Sequence, residues 1–167
     1  MKEDHDWSKF CLRININAKV QDIYNYWTTQ NNLEKWFLRK AEFTNPDDLQ
    51  KAPDSSIEKG DSYLWLWYGY SDDFEESGEI LEINGKDFLQ FTFGNAGTVT
   101  VRIITEHGEN LVELWQENIP TDEKSRAYYY MGCSNGWTFY LTNLKSILEG
   151  GIDLRNRNDE LKQMINA

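Results

Sequence analysis

The sequence predicts an α+β domain: a curved antiparallel β-sheet wrapped around a long C-terminal helix, with two short helices after the first strand. Three observations carry this. Between Tyr63 and Ile119 the chain runs in short stretches of alternating apolar and polar residues, separated by turn signals of which Asn84-Gly85 is the strongest. Pro120 closes that region. Beyond it, Thr121 to Gly150 places Ala127, Met131, Ser134, Trp137, Leu141, Leu144 and Leu148 three or four residues apart, the stripe of one helix face.

The elements follow in order. Phe10 to Ile16 alternates as a first strand, with Phe10, Leu12, Ile14 and Ile16 on one side. Asn17-Ala18 leads into a short helix whose apolar face is Val20, Ile23, Tyr24 and Trp27. Asn31, with Glu34 three residues on, reads as a capping box opening a second short helix through Trp36-Phe37. Ala41 to Thr44 is a brief strand. Asn45 to Lys59 is a long loop, of the length that often forms a lid or rim.

Strands are expected at Tyr63 to Tyr68, Glu79 to Ile83, Phe88 to Phe93, Thr98 to Thr105 and Leu111 to Ile119, joined by short turns into an antiparallel meander. The inward sets are Tyr63, Trp65 and Trp67; Leu81 and Ile83; Leu89, Phe91 and Phe93; Val99, Val101 and Ile103; and Val112, Leu114 and Gln116. Leu64, Leu66 and Trp115 interrupt an otherwise polar outer face. Thr121 is the expected helix cap, and Gly150-Gly151 the stop. In the polar tail, Leu161, Met164 and Ile165 read as a last helical turn. The 167 residues, 40% hydrophobic and carrying 7 Trp, make one domain with a real core. Residues 1–9 form its flexible N-terminus, 10–150 its core and 151–167 its tail.

Composition removes several functions. The 17 Lys and Arg against 28 Asp and Glu leave a net charge of −11, and no basic cluster stands out. Nucleic acid and anionic membrane surfaces are therefore not the expected partners. No apolar run approaches the ~18 residues of a membrane span, so no membrane insertion is expected. The opening MKEDHDWSKF is charged, unlike a signal sequence. Cys11 and Cys133 make no disulfide framework, and the expectation is a cytoplasmic protein with reduced thiols. The two histidines, His5 and His107, supply neither a zinc motif nor a catalytic triad, and no metal or other cofactor is expected. Cys133 reads as a small core residue. Asp72, Asp73, Glu75 and Glu76 read as a solvated loop or edge strand, which leaves Glu79 as the one arguable inward acid.

Three segments carry a resemblance. Asn17 to Phe37, NAKVQDIYNYWTTQNNLEKWF, is a short helix followed by a Trp-Phe segment. Gly78 to Leu89, GEILEINGKDFL, is a hairpin, with Asn84-Gly85 where prolines are usual. Gly136 to Gly150, GWTFYLTNLKSILEG, ends the long helix. In this order and spacing they resemble the START-like superfamily with its helix-grip fold. Within it they are most similar to the branch homologous to the activator of the heat-shock chaperone ATPase. The resemblance spans roughly residues 10 to 155. It implies a deep, mostly apolar cavity between helix and sheet. Relatives use that cavity for lipids or aromatic molecules, and some use the fold to bind proteins.

Candidate site residues follow from the inward faces and that implied cavity. Trp65, Trp67, Phe91 and Phe93, with Val101 and Leu114, either line a pocket or fill the core. Trp36 and Phe37 are a gate or a hydrophobic anchor. On the helix, Met131 and Trp137 grip the sheet, while Gly132 and Ser134 leave room for a ligand or for a sheet residue. Gln116, an amide among apolar neighbours, bonds a ligand's polar end, a backbone group or a Tyr hydroxyl. The expected function is non-enzymatic binding of a small apolar ligand, a lipid or an aromatic metabolite. The alternatives are a co-chaperone-like module acting on a heat-shock chaperone ATPase through its surface, and an enzyme of the cyclase or dehydratase kind.

Overall fold

The computed structural model describes residues 4–165. Its frame is a seven-stranded antiparallel sheet in the order β1-β7-β6-β5-β4-β3-β2. The strands are β1 (Phe10–Asn15), β2 (Lys40–Thr44), β3 (Ser62–Leu66), β4 (Glu75–Ile83), β5 (Phe88–Thr92), β6 (Thr98–Glu106) and β7 (Glu109–Glu117). From β2 to β7 each strand pairs with its neighbour in the chain, as short turns demand. β1 adds to β7 with Leu12 opposite Leu114 and Ile14 opposite Val112. Two short helices, α1 (Val20–Asn25) and α2 (Gln30–Trp36), carry the chain from one edge strand to the other.

Local chemistry sets the boundaries. Thr29, rather than Asn31, caps α2, because its hydroxyl accepts the Asn32 N–H at 3.2 Å. Glu34 instead accepts from the Ala41 N–H at 3.0 Å and so ties α2 to β2. The β4–β5 hairpin turns where Asn84-Gly85 predicts. The Asn84 side chain accepts the N–H groups of Lys86, Asp87 and Phe88, and the Tyr24 hydroxyl accepts that of Gly85. β4 is longer than expected and reaches back to Glu75. A bulge between Ile80 and Glu82 shifts its parity, so Ile80 rather than Leu81 is the buried residue beside Ile83.

The long C-terminal element has three parts: a turn of α-helix, α3 (Glu123–Ser125), a π-turn (Arg126–Met131), and α4 (Gly132–Leu148). Asp122, not Thr121, is the cap; its carboxylate accepts from the Ser125 backbone at 3.1 Å and the Ser125 hydroxyl at 2.6 Å. In the π-turn the Gly132 N–H reaches the Ala127 carbonyl five residues back. One extra residue in a turn rotates the side chains before it by about 100°. Ala127 and Met131, which the spacing placed on the gripping face, are therefore exposed, and Tyr129, Tyr130 and Cys133 turn partly inward. From Trp137 onward the expected stripe holds, with Trp137, Leu141 and Leu144 buried.

The loop over 45–59 lies along β2 and α2. Ile57 and Asn31 bond across to Thr28 and Pro53, and Lys51 pairs with the buried Asp61 at 2.8 Å. The N-terminal segment makes contacts too: His5 bonds the Tyr130 hydroxyl at 2.7 Å, and Trp7 packs edge-on to the same ring. Residues 1–3 of the expected flexible N-terminus, like 166 and 167 of the tail, lie outside the described residues. After α4 the tail is anchored by Arg155, whose guanidinium donates to the carbonyls of Leu38 and Glu34 and to Asp153. No last helical turn forms around Leu161 and Met164, which are exposed. No helix of the described residues is long and apolar enough to cross a membrane.

Candidate functional site

A cavity of about 270 Å³ opens between the N-terminal half of α4 and the β3–β4 end of the sheet. Its aromatic wall arises because four elements each deliver a ring to one point. Phe37, at the end of α2, stacks on Trp137 with centroids 4.9 Å apart and meets Tyr140 edge-on at 5.0 Å. Trp67, just past β3, and Phe93, just past β5, complete the wall at 5.9 Å from Phe37 and 5.5 Å from Trp137.

The rim is the β3–β4 connection rather than the 45–59 loop. Tyr70 and Phe74 stack on each other at 5.0 Å, and Tyr128 joins them from the π-turn. Phe74 and Tyr128 remain 64% and 69% exposed, a large apolar fraction to leave in water.

On the helix side the wall is thin. Gly132 and Gly136 are one turn apart on the face that borders the cavity. A Cβ at Gly136 would meet nothing within 4 Å, and one at Gly132 only the Ala127 carbonyl at 3.8 Å. Glycine inside a helix costs about 1 kcal/mol relative to alanine. Two of them here keep open a space that packing does not require.

The polar groups are few. Glu76 sits on the inward face of β4, across from Trp65, and its carboxylate reaches the cavity. It rests against Gly94, which holds a positive φ of 49°; a Cβ there would collide with the carboxylate. Burial raises the Glu76 carboxyl above the ordinary carboxylate range, offset in part by the Ser77 backbone N–H. Among the described residues no ion pair to it occurs and no Lys, Arg or His lines the cavity. Beside it, burial and the Glu76 charge push the Cys133 thiol up, against an opposing hydrogen bond from Gln116, so the sulfur stays protonated. Burial likewise drives the phenols of Tyr63 and Tyr140 above their usual range.

Of the residues singled out in the sequence, Phe37, Trp67, Phe93 and Trp137 meet at this cavity. Trp36, Trp65, Phe91, Val101 and Leu114 lie in the closed core behind it. Gln116 is fully buried and structural: its amide accepts from the Trp137 indole at 2.9 Å and donates to the Ala96 carbonyl at 2.9 Å, fixing Trp137 against the wall. Met131 is 53% exposed, and Ser134 stands off the cavity while the neighbouring glycines border it. Glu79, the expected inward acid, is exposed; Glu76 takes that place. Parity carried back from Leu81 and Ile83 points to Glu79 and Glu75; the bulge between Ile80 and Glu82 reverses it and turns Glu76 and Gly78 inward. Among the described residues no group of His, Cys, Asp and Glu is arranged to hold a metal ion.

A sequence profile of the family described as Activator of Hsp90 ATPase homolog 1-like protein matches residues 17–149. The chain belongs to this family. Its domain is thus of the activator-like, START type that the three segments resembled. No curated protein matches the chain in sequence. Among solved structures it is similar to SSP2350 from Staphylococcus saprophyticus, with a TM-score of 0.67 and 17% identity over 88% of this chain and 96% of that one. The Aha1 dimer from Colwellia psychrerythraea gives 0.64 and 17% over 86% and 97%. CalU16 from Micromonospora echinospora gives 0.62 and 19% over 87% and 77%. These likenesses establish the helix-grip fold that this family member shares with them.

Proposed function

We propose that this member of the activator-like family binds a small, largely apolar molecule in the cavity between α4 and the sheet. The observation that carries the reading is the pair Gly132 and Gly136. A helix that served only to close the core would gain stability and contacts from larger side chains at both positions. Here the space is kept, walled by the rings of Phe37, Trp67, Phe93, Trp137 and Tyr140 and opening between Tyr70, Phe74 and Tyr128. At about 270 Å³ the cavity suits a ring system with a short substituent, not a phospholipid.

The test is a fluorescence and calorimetric screen of small aromatic compounds, with native mass spectrometry of protein purified without detergent. Binding that quenches tryptophan emission and disappears in Gly136→Phe supports the reading. A wild-type protein that neither carries nor takes up any such compound overturns it.

A second reading rests on the family's name and on the exposed apolar residues at the rim. Phe74 and Tyr128, with the neighbouring Tyr70, make a surface through which a co-chaperone-like module would touch a chaperone ATPase. Stimulation of the chaperone's ATPase by wild type, lost in Phe74→Ser, supports it; no stimulation and no pull-down contact overturn it.

A further inference from the structure

We propose that the occupant of this cavity is a cation, an aromatic or branched apolar amine whose ammonium group lies against Glu76 and the ring faces around it. The proposal rests on the small-molecule reading above and narrows it to a ligand class.

The first ground is composition. Among the described residues, the cavity wall holds carboxylates from Glu75 and Glu76 and no basic side chain. A ligand with its own carboxylate or phosphate would meet like charge at the floor and nothing to pair with. The second ground is geometry. Glu76 is drawn out of water on the inward face of β4 without an ion-pair partner among the described residues, and Gly94 leaves the room that lets it sit there. A partly desolvated carboxylate lacking a partner is costly, and a cation entering beside it restores the pairing. The third is the wall. Phe37, Trp67, Phe93 and Trp137 ring the space, and aromatic π systems attract an ammonium or alkylammonium group within about 6 Å. A neutral apolar ligand would use the rings and leave Glu76 unpaired.

Charge state gives a further handle. The titratable groups around Glu76 are the Tyr63 phenol from β3, the Cys133 thiol and Tyr140 phenol from α4, its neighbour Glu75, and the rim phenols of Tyr70 and Tyr128. Protonation of Glu76 removes the counter-charge, so affinity for a permanent cation falls as the pH is lowered.

The experiment compares benzyltrimethylammonium with neopentylbenzene, its neutral isostere, by tryptophan fluorescence and calorimetry. Wild type is expected to bind the cation about tenfold more tightly. Glu76→Gln is expected to lose that preference while keeping its affinity for neopentylbenzene, which also shows that the cavity is intact. Gly94→Ala, which displaces the carboxylate without altering it, should do the same. On acidification from about pH 7.5 toward the ordinary carboxylate value of 4.5, wild-type affinity for the cation should fall and that of Glu76→Gln should stay flat. If Glu76→Gln fails to fold, the wild-type ratio and its pH slope decide. Equal or tighter binding of neopentylbenzene overturns the cation proposal and leaves the apolar cavity standing. Binding of neither compound overturns both.

Discussion

At the scale of single residues, the carboxyl of Glu76 sets the most specific expectation. Its native-state proton affinity is raised above the ordinary value of 4.5, so the native state holds the proton more tightly than the unfolded chain does. Stability therefore falls as pH rises through the window above that value. Glu76→Gln should raise the thermal midpoint at pH 7 by a few degrees, and the gain should vanish below about pH 4.5. Thermal melts at two pH values check this; a midpoint unchanged or lowered at pH 7 contradicts it. Gln116 makes the opposite case. Gln116→Leu leaves the Trp137 indole and the Ala96 carbonyl unpaired, and should cost about 2–4 kcal/mol by denaturant titration. The sequence marked Gln116 as a buried amide needing partners, but its partners come from an indole and a turn that share no sequence neighbourhood with it. Glu76 was hidden in a run of acids that reads as solvated surface, and only pairing with β3 fixes which acid turns inward.

At the scale of elements, the strands and turns were legible because their signals are local. Period-two alternation and Asn84-Gly85 place β5, β6 and β7 to within about two residues. Two departures had causes that periodicity cannot report. The bulge in β4 exchanges Ile80 for Leu81, and the π-turn breaks the helical stripe so that Ala127 and Met131 leave it. Both insert one residue into a regular pattern, and a stripe read at constant spacing steps over such an insertion. The glycines of α4 yield a clean test. Gly136→Ala puts a methyl group into open space and removes a helix-weakening residue, so it should stabilise the fold by up to about 1 kcal/mol. Gly136→Phe should fill the cavity and abolish binding with the fold retained. Loss of stability in the alanine variant would mean that the space is needed for packing after all.

At the scale of the whole molecule, the tail acts as a strap. Arg155 has no side-chain exposure, and it joins the end of α2, the carbonyl that follows it, and the loop after α4. Burial alone would push the Asp153 carboxyl up, but its bonds to Arg155 and Arg157 outweigh that and hold it well below the usual carboxylate range. A depressed carboxyl contributes stability above its unfolded value of 3.8 and loses it as pH falls. Arg155→Ala strips buried carbonyls of their donor and frees Asp153, so it should cost about 2–4 kcal/mol at neutral pH. The deficit should narrow on acidification below about pH 4; an equal deficit at both pH values would show that the ion pair is not involved. Nothing in the tail's composition announced this anchor, because a lone Arg among Asn, Asp and Arg reads as solvated chain.

The π-turn has one more implication, for how the domain tolerates change in length. The extra residue is absorbed within a single turn between Arg126 and Met131, while everything from Gly132 onward keeps its register against the sheet. A residue added or removed within this turn is therefore expected to re-aim Tyr128 over the opening while Trp137, farther along α4, keeps its place. A library of insertions confined to this turn is expected to vary which compounds are admitted more than it varies the compartment that receives them.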